Sequence, residues 1–176
     1  SSDLQWPFPI HISPHDTSRV YAGSQVVHMT TNRGQTWTVI SPDLTTNNVE
    51  MQGYSGSTGI TQDNTGVEVY TTIFAFEESP ITAGLLWAGS DDGLVHVTRD
   101  GGQTWNRAET GTKRLIYDIS MADEKQGFAV GQLGLLLRTE DGANITAAAS
   151  QARNLLLTTP MALPSNFALL KPKLTL

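Results

Sequence analysis

Short runs in which apolar and polar residues alternate, each closed by Gly, Asp, Asn or Ser, recur along most of this chain. Alternation with a period of two sends one side of an extended segment into a core and the other toward water, so each run predicts a half-buried β-strand. Residues 10–14 form the first run. Residues 20–24 and 26–31 flank a turn, and 37–40 follow a second turn at Gly34. Four antiparallel strands in roughly 30 residues are the content of one propeller-type blade. The pattern then lapses over 41–66, where turn formers crowd out apolar residues, and a long loop or insertion is expected. Alternation resumes over 67–76. The runs 85–90 and 94–98 pair across Asp91-Asp92-Gly93, and Trp105 opens a last strand. A third set covers 116–121, 128–131 and 135–139. Its fourth strand is expected to fail, because Thr146 stands where the pattern calls for Trp and alanines follow.

The turns repeat as well as the strands. Thr30, Asn32, Gly34, Thr36 and Trp37 recur as Thr98, Asp100, Gly102, Thr104 and Trp105 at a constant offset of 68, and Thr139 and Asp141 follow Thr98 and Asp100 at an offset of 41. The difference, 68 − 41 = 27, is about the size of the 41–66 segment, so one underlying period near 41 accounts for both intervals. In this turn the acidic side chain accepts backbone N–H groups, Gly takes a positive φ, and Trp packs under the next strand. The expected fold is therefore all-β, with antiparallel four-stranded propeller-type blades, about three of them, in an incomplete or open propeller. The blades span 10–41, 67–110 and 115–146, with an insertion at 42–66. They are preceded by an extended lead-in, 1–9, and followed by a docking tail, 147–176.

The two ends differ from the blades. Prolines break the lead-in around Trp6 and Phe8, and Pro cannot donate to a ladder, so an extended, docked segment is expected. Residues 147–157 have helix-forming composition. Beyond them Pro160, Pro164 and Pro172 interrupt an apolar stretch that includes Phe167, Leu169 and Leu170. The tail is expected to be irregular or partly helical, and apolar side chains of this density belong against a surface. Trp6, Phe8, Phe167, Leu169 and Leu170 are the candidate partner-docking residues.

Composition removes several function classes. Lys and Arg number 11 against 17 Asp and Glu, and the net charge of -6 disfavours phosphate binding, so no nucleic-acid partner is expected. Without Cys there is no disulfide framework, thiolate metal site or thiol nucleophile. No run approaches the ~18 apolar residues of a membrane span. The opening residues carry no basic stretch followed by an apolar one, so a secretory leader is expected to be absent or already removed.

The box pattern, Ser/Thr-x-Asp-x-Gly-x-Thr-Trp, resembles the Asp-box or BNR repeat of sialidases, sortilin-type receptors and xyloglucanases, all β-propellers. Asn32 departs from it in the first box and Thr146 in the third, which weakens those turns without changing the fold. Over about residues 6–110 the chain resembles large bacterial exported proteins with sortilin-like propellers, often labelled glycosyl hydrolases. Residues 122–142, ADEKQGFAVGQLGLLLRTEDG, are instead similar to blades of the photosystem II stability and assembly factor family, a non-enzymatic propeller. Sialidase chemistry needs three convergent arginines, a Tyr nucleophile and an acid/base carboxylate. Here Arg33 and Arg99 fall inside box turns, and no arginine sits in the motif those enzymes carry near the propeller's start.

Asp91-Asp92 and Glu77-Glu78 are the carboxylate pairs. Neighbours on a strand point to opposite faces, so neither pair forms a two-carboxylate site. A turn role is expected for Asp91-Asp92-Gly93, with a cation at Asp91, Asp92 or Asp63 with Asn64 as the alternative. His28 and His96 hold equivalent repeat positions as half-buried strand residues, a shared metal being the sharper alternative. The sequon at Asn144 matters only in a eukaryotic secretory setting. No catalytic residue, cofactor or metal is expected. The resemblances imply a non-catalytic structural or interaction module. It would be an accessory or assembly subunit of a larger complex, membrane-associated and photosynthetic by the second resemblance, with other protein subunits as partners. The alternative is a glycan-binding or glycoside-hydrolysing propeller domain. The setting implied is exported, periplasmic or extracellular in a bacterium.

Overall fold

The computed structural model describes residues 8–49, 71–142 and 145–147. Among the described residues twelve strands make three sheets of four, each a plain antiparallel meander. The first comprises β1 (Ile10–Ile12), β2 (Val20–Gly23), β3 (Val27–Thr30) and β4 (Thr38–Val39). The second holds β5 (Ile73–Glu78), β6 (Leu86–Ser90), β7 (Val95–Thr98) and β8 (Asn106–Ala108). In the third are β9 (Ile116–Met121), β10 (Gly127–Gly131), β11 (Leu135–Thr139) and β12 (Thr146–Ala147). These are propeller-type blades, and the fold is nearly all β.

Two details differ from the sequence-based expectation. Of the strand expected over 67–76, residues 67–70 lie outside the described residues; the described part begins at Ile73 and continues past 76 to Glu78, because Glu77 and Glu78 find buried partners and extend the ladder opposite Trp87 and Leu86. The fourth strand of the third blade does form. Thr146 pairs with Arg138 and Ala147 with Leu137, since a ladder needs backbone groups and not an indole. Ile145, 2% exposed, fills the core there. Ala147, expected to open a helix, is thus a strand residue. The rest of the proposed tail, with Phe167, Leu169 and Leu170, lies outside the described residues, as do Trp6, Asp63, Asn64 and Asn144.

The second blade sits between the other two. One of its faces presents Trp87, Val95, Val97 and Ala75 to Ile116, Ile119, Ala129 and Leu137 of the third blade. Its opposite face presents Phe76, Leu86 and Ala88 to Tyr21 and Val27 of the first. The start of the expected insertion is part of this second core. Leu44 is 2% exposed within it, and its N–H bonds to the Gln25 carbonyl at 2.9 Å. Close approach needs a bare backbone at Gly89, where a Cβ would stand 2.8 Å from Ile116 Cγ2.

A second repeat runs through the inter-blade packing. Paired residues share a sheet face, and the register puts Tyr21 opposite Met29, Trp87 opposite Val97 and Phe128 opposite Arg138. Each aromatic is followed by an alanine, Ala22, Ala88 or Ala129, which points to the other face. Every blade therefore carries an aromatic knob on one side and a small residue on the other. Offsets of 66 and 41 relate the three aromatics. The first differs from the box offset by two residues, the extra length of the turn after Gly89 compared with that after Gly23. That turn-length difference takes the aromatics off the constant offset that relates the boxes.

Candidate functional site

The three boxes join the third and fourth strands of their blades. In the second, Asp100 Oδ1 accepts the Thr104 N–H at 2.9 Å and the Thr98 hydroxyl at 2.7 Å, while Oδ2 accepts the Thr104 hydroxyl at 2.5 Å. Those bonds, led by the Thr104 hydroxyl, hold the carboxyl well below the usual range. Asn32 closes the first box with the same three links: Oδ1 takes the Thr36 N–H at 2.9 Å and the Thr30 hydroxyl at 3.0 Å, and Nδ2 donates to Thr36 Oγ1 at 2.8 Å. The amide loses only the charge assistance. In the third box the Thr139 hydroxyl reaches Asp141 at 3.3 Å and accepts the Gly142 N–H at 2.9 Å.

The boxes also tie blade to blade. Trp105 reaches beyond its own turn, and its Nε1 donates to the Ile40 carbonyl of the first blade at 2.9 Å. Gly102, at φ +100, lies against the same residue, where a Cβ would stand 2.7 Å from the Ile40 oxygen. Arg99 bonds the Gly142 carbonyl at 3.2 Å, and Gly142 donates to Lys125 O at 2.9 Å. Trp37, the counterpart of Trp105, is 46% exposed.

The turn between β6 and β7 holds the other carboxylate pair. Asp91 accepts the Thr71 N–H at 3.0 and 3.1 Å and the Thr72 N–H at 2.9 Å, whereas Asp92 accepts the Thr46 N–H at 2.6 Å and the Ser90 hydroxyl. The two carboxylates diverge and fasten different chain segments, one to its own blade and one to the loop from the first blade. Burial pushes Asp91 up to about 6 despite those N–H groups.

Glu77 and Glu78 diverge too. Glu77 faces the third blade and accepts the Met121 N–H at 3.1 Å; Glu78, 1% exposed, takes the Gly84 N–H at 2.9 Å. Two histidines bridge the first blade to this strand's end. His11 Nε2 accepts the Glu78 N–H at 3.3 Å, and His15 Nε2 meets the Ser79 carbonyl at 2.7 Å. His28 and His96 remain on separate blades. His28 contacts Ser24 Oγ at 3.0 Å, and burial holds both rings below the usual imidazole value. Among the described residues no group of three or more His, Asp or Glu could hold a metal ion.

Desolvation raises Glu77 to about 7, with a smaller push from Asp118 and an opposing pull from the Met121 N–H. A folded-state value above the unfolded 4.5 means that the folded chain binds the extra proton, so this contribution is complete below about 4.5 and is lost as pH rises through about 7. The Glu77 part of the melting temperature should fall as pH rises from about 6 to roughly 8, read as the difference between the wild type and Glu77→Gln, in which the histidine contributions cancel. Glu77→Gln should flatten that fall. An unchanged slope in thermal melts of the variant would refute the assignment to Glu77.

No family model matches the chain. Among curated proteins, the photosystem II stability/assembly factor HCF136 of Arabidopsis thaliana is 32% identical over 99 residues, covering 48% of this chain and 22% of that protein. The photosystem II assembly lipoprotein Ycf48 of Synechococcus is 36% identical over 61 residues, 34% of this chain and 18% of its own length. The chain is similar to these assembly factors. It spans about a fifth of the length of the HCF136 and Ycf48 relatives it matches. Among solved structures, YCF48 from Cyanidioschyzon merolae superposes with a TM-score of 0.51 at 17% identity, over 78% of this chain and 38% of that one. A GH74 enzyme of Niastella koreensis gives 0.53 at 14% identity, over 78% of this chain and 22% of its own. These two likenesses establish propeller-type blades. Of the candidate docking residues only Phe8 is described, half-buried ahead of β1.

Proposed function

We propose that the chain is a non-catalytic interaction module that seats on protein subunits of a photosynthetic membrane complex during its assembly, in a compartment outside the cytoplasm. The observation that carries this reading is the identity to HCF136 and Ycf48, whose names describe photosystem II assembly. The geometry is in keeping with it. The box residues are occupied with turn closure, the two carboxylate pairs diverge, and apolar side chains stand exposed on the outer blades, Ile10 and Ile12 on one and Phe128, Val130 and Leu133 on the other. Such patches are where partners bind.

The GH74 likeness supports a second reading, a glycan-active propeller, at the level of fold. One experiment separates the two. Immobilised chain is exposed to purified photosystem II reaction-centre subcomplexes and, in parallel, to a xyloglucan oligosaccharide series. Saturable binding of the subcomplex without binding or hydrolysis of the oligosaccharides is the expected result. Oligosaccharide turnover, or no capture of the subcomplex, would overturn the assembly reading.

A further inference from the structure

We propose that a side chain on the first strand of one blade latches the backbone of the next, and that the two latches flanking the second blade answer pH in opposite directions. Protonating His11 loosens the seam between the first and second blades, and ionising Glu77 loosens the seam between the second and third. This rests on contacts made around the second blade and is independent of the function proposed above.

The latch is a repeated contact. In each sheet the first strand is an edge. The Ser79 N–H bonds the Leu85 carbonyl across the ladder at 2.9 Å, so by antiparallel alternation the neighbouring Glu78 N–H points off the unpaired edge of β5. The Ala122 N–H bonds the Gln126 carbonyl at 2.8 Å, and the Met121 N–H points off the unpaired edge of β9 in the same way. Each takes its acceptor from the blade before it. The Glu78 N–H donates to His11 Nε2 at 3.3 Å, and the Met121 N–H to Glu77 Oε2 at 3.1 Å. His11 and Glu77 hold equivalent places, each paired with the large aromatic of its blade, Tyr21 or Trp87. Glu78 and Met121 are 1% and 4% exposed, so water is a poor substitute for either acceptor.

The two acceptors differ in what a proton does to them. An imidazole nitrogen accepts an N–H only through the lone pair of the neutral ring, and protonation turns a donor toward a donor. The groups facing the His11 ring are Tyr21 on β2, Glu78 on β5 and Arg19 beside both, with the Phe76 ring 5.8 Å away between centroids. Burial outweighs the attraction of the Glu78 carboxylate and holds His11 below the usual imidazole value. His15 differs, because its Nε2 donates to the Ser79 carbonyl and does so in either charge state. Glu77 accepts in either state, since the neutral acid keeps a carbonyl oxygen. What ionisation adds is a charge buried under the third blade, where the facing groups on β9 are the Met121 N–H and Asp118, a carboxyl of the same sign. Desolvation, with a smaller push from Asp118, raises Glu77 to about 7.

The signs are therefore opposed. The His11 contribution is complete above 6.5 and is lost as pH falls through the lowered folded value. The Glu77 contribution is complete below 4.5 and is lost as pH rises through about 7. Acidification over this range weakens the first seam while it tightens the second.

Amide hydrogen exchange of the full chain, followed by NMR at about pH 5.5 and about pH 7.5 and corrected for intrinsic rates, reads each seam at its own N–H. From the higher pH to the lower, protection of the Glu78 N–H should fall several-fold while that of the Met121 N–H rises several-fold. His11→Gln, which keeps an acceptor that does not titrate, should abolish the first response and leave the second. Glu77→Gln should abolish the second and leave the first. Responses of the same sign at both amides would show a global effect of pH and overturn the proposal. So would no response at either, or opposed responses that survive both substitutions. The two wild-type amides carry the comparison by themselves should a variant fail to fold.

Discussion

Trp87→Ala should lower the stability of this chain by about 3–5 kcal/mol, the range for removing a large buried aromatic. The indole is 0% exposed and lies in the larger core, between Val97 on its own sheet and Ile116, Ala129 and Leu137 across the interface. Its loss leaves a cavity where two blades meet, and neither can close in, because each is fixed by its own ladder and by the boxes. Blades of a repeat fold gain stability chiefly from neighbour contacts, so the damage should uncouple the third blade from the second. Phe128→Ala removes the same kind of knob from an exposed site and should cost much less in the isolated chain. Trp87→Phe should be mild, since the buried Nε1 has no hydrogen-bond partner among the described residues to lose and the third blade already uses Phe at this place. Urea unfolding of the three variants checks the ranking. Equal losses for Trp87→Ala and Phe128→Ala would show that the inter-blade aromatic does not carry the coupling.

Asp91→Ala is expected to cost about 2–6 kcal/mol, as buried N–H groups of Thr71 and Thr72 lose a carboxylate acceptor at roughly 1–3 kcal/mol each. The site is 7% exposed, which limits replacement by solvent. Part of the loss should depend on pH. The folded carboxyl titrates near 6 against 3.8 unfolded, so the wild-type contribution is greatest below about 3.8 and shrinks as pH rises through about 6. The penalty for the alanine variant should accordingly be larger at low pH than at neutrality. Denaturation midpoints of both proteins at the two ends of that window provide the measurement, and a penalty that grows with pH would contradict the assignment.

The blades were legible because their determinants are local. Period-two alternation marks a strand wherever it lies, and Thr98, Asp100, Gly102 and Thr104 close their turn among themselves. The sequence also implied that Asp91-Asp92 and Glu77-Glu78 would diverge, from strand geometry alone. Reach was not legible. Asp91 looks like a turn residue, and only the fold brings it to backbone 20 residues away. Trp105 looks like the lid of its own box, and only the fold sets its N–H on Ile40, 65 residues back. Thr146 reads as the end of the pattern because no Trp stands there, whereas the strand is anchored by its backbone ladder to Arg138 and Leu137.

Tyr21, Trp87 and Phe128 mark the boundary between the two kinds of knowledge. By itself the sequence determined that each blade would form, because alternation is a property of the backbone; the sheet register is what aligns an aromatic and an alanine on opposite faces of each second strand. Tertiary structure alone decided that Tyr21 and Trp87 are buried at 1% and 0% while Phe128 stands 45% exposed. Burial belongs to whatever sheet lies opposite, and no residue carries that information about its neighbour.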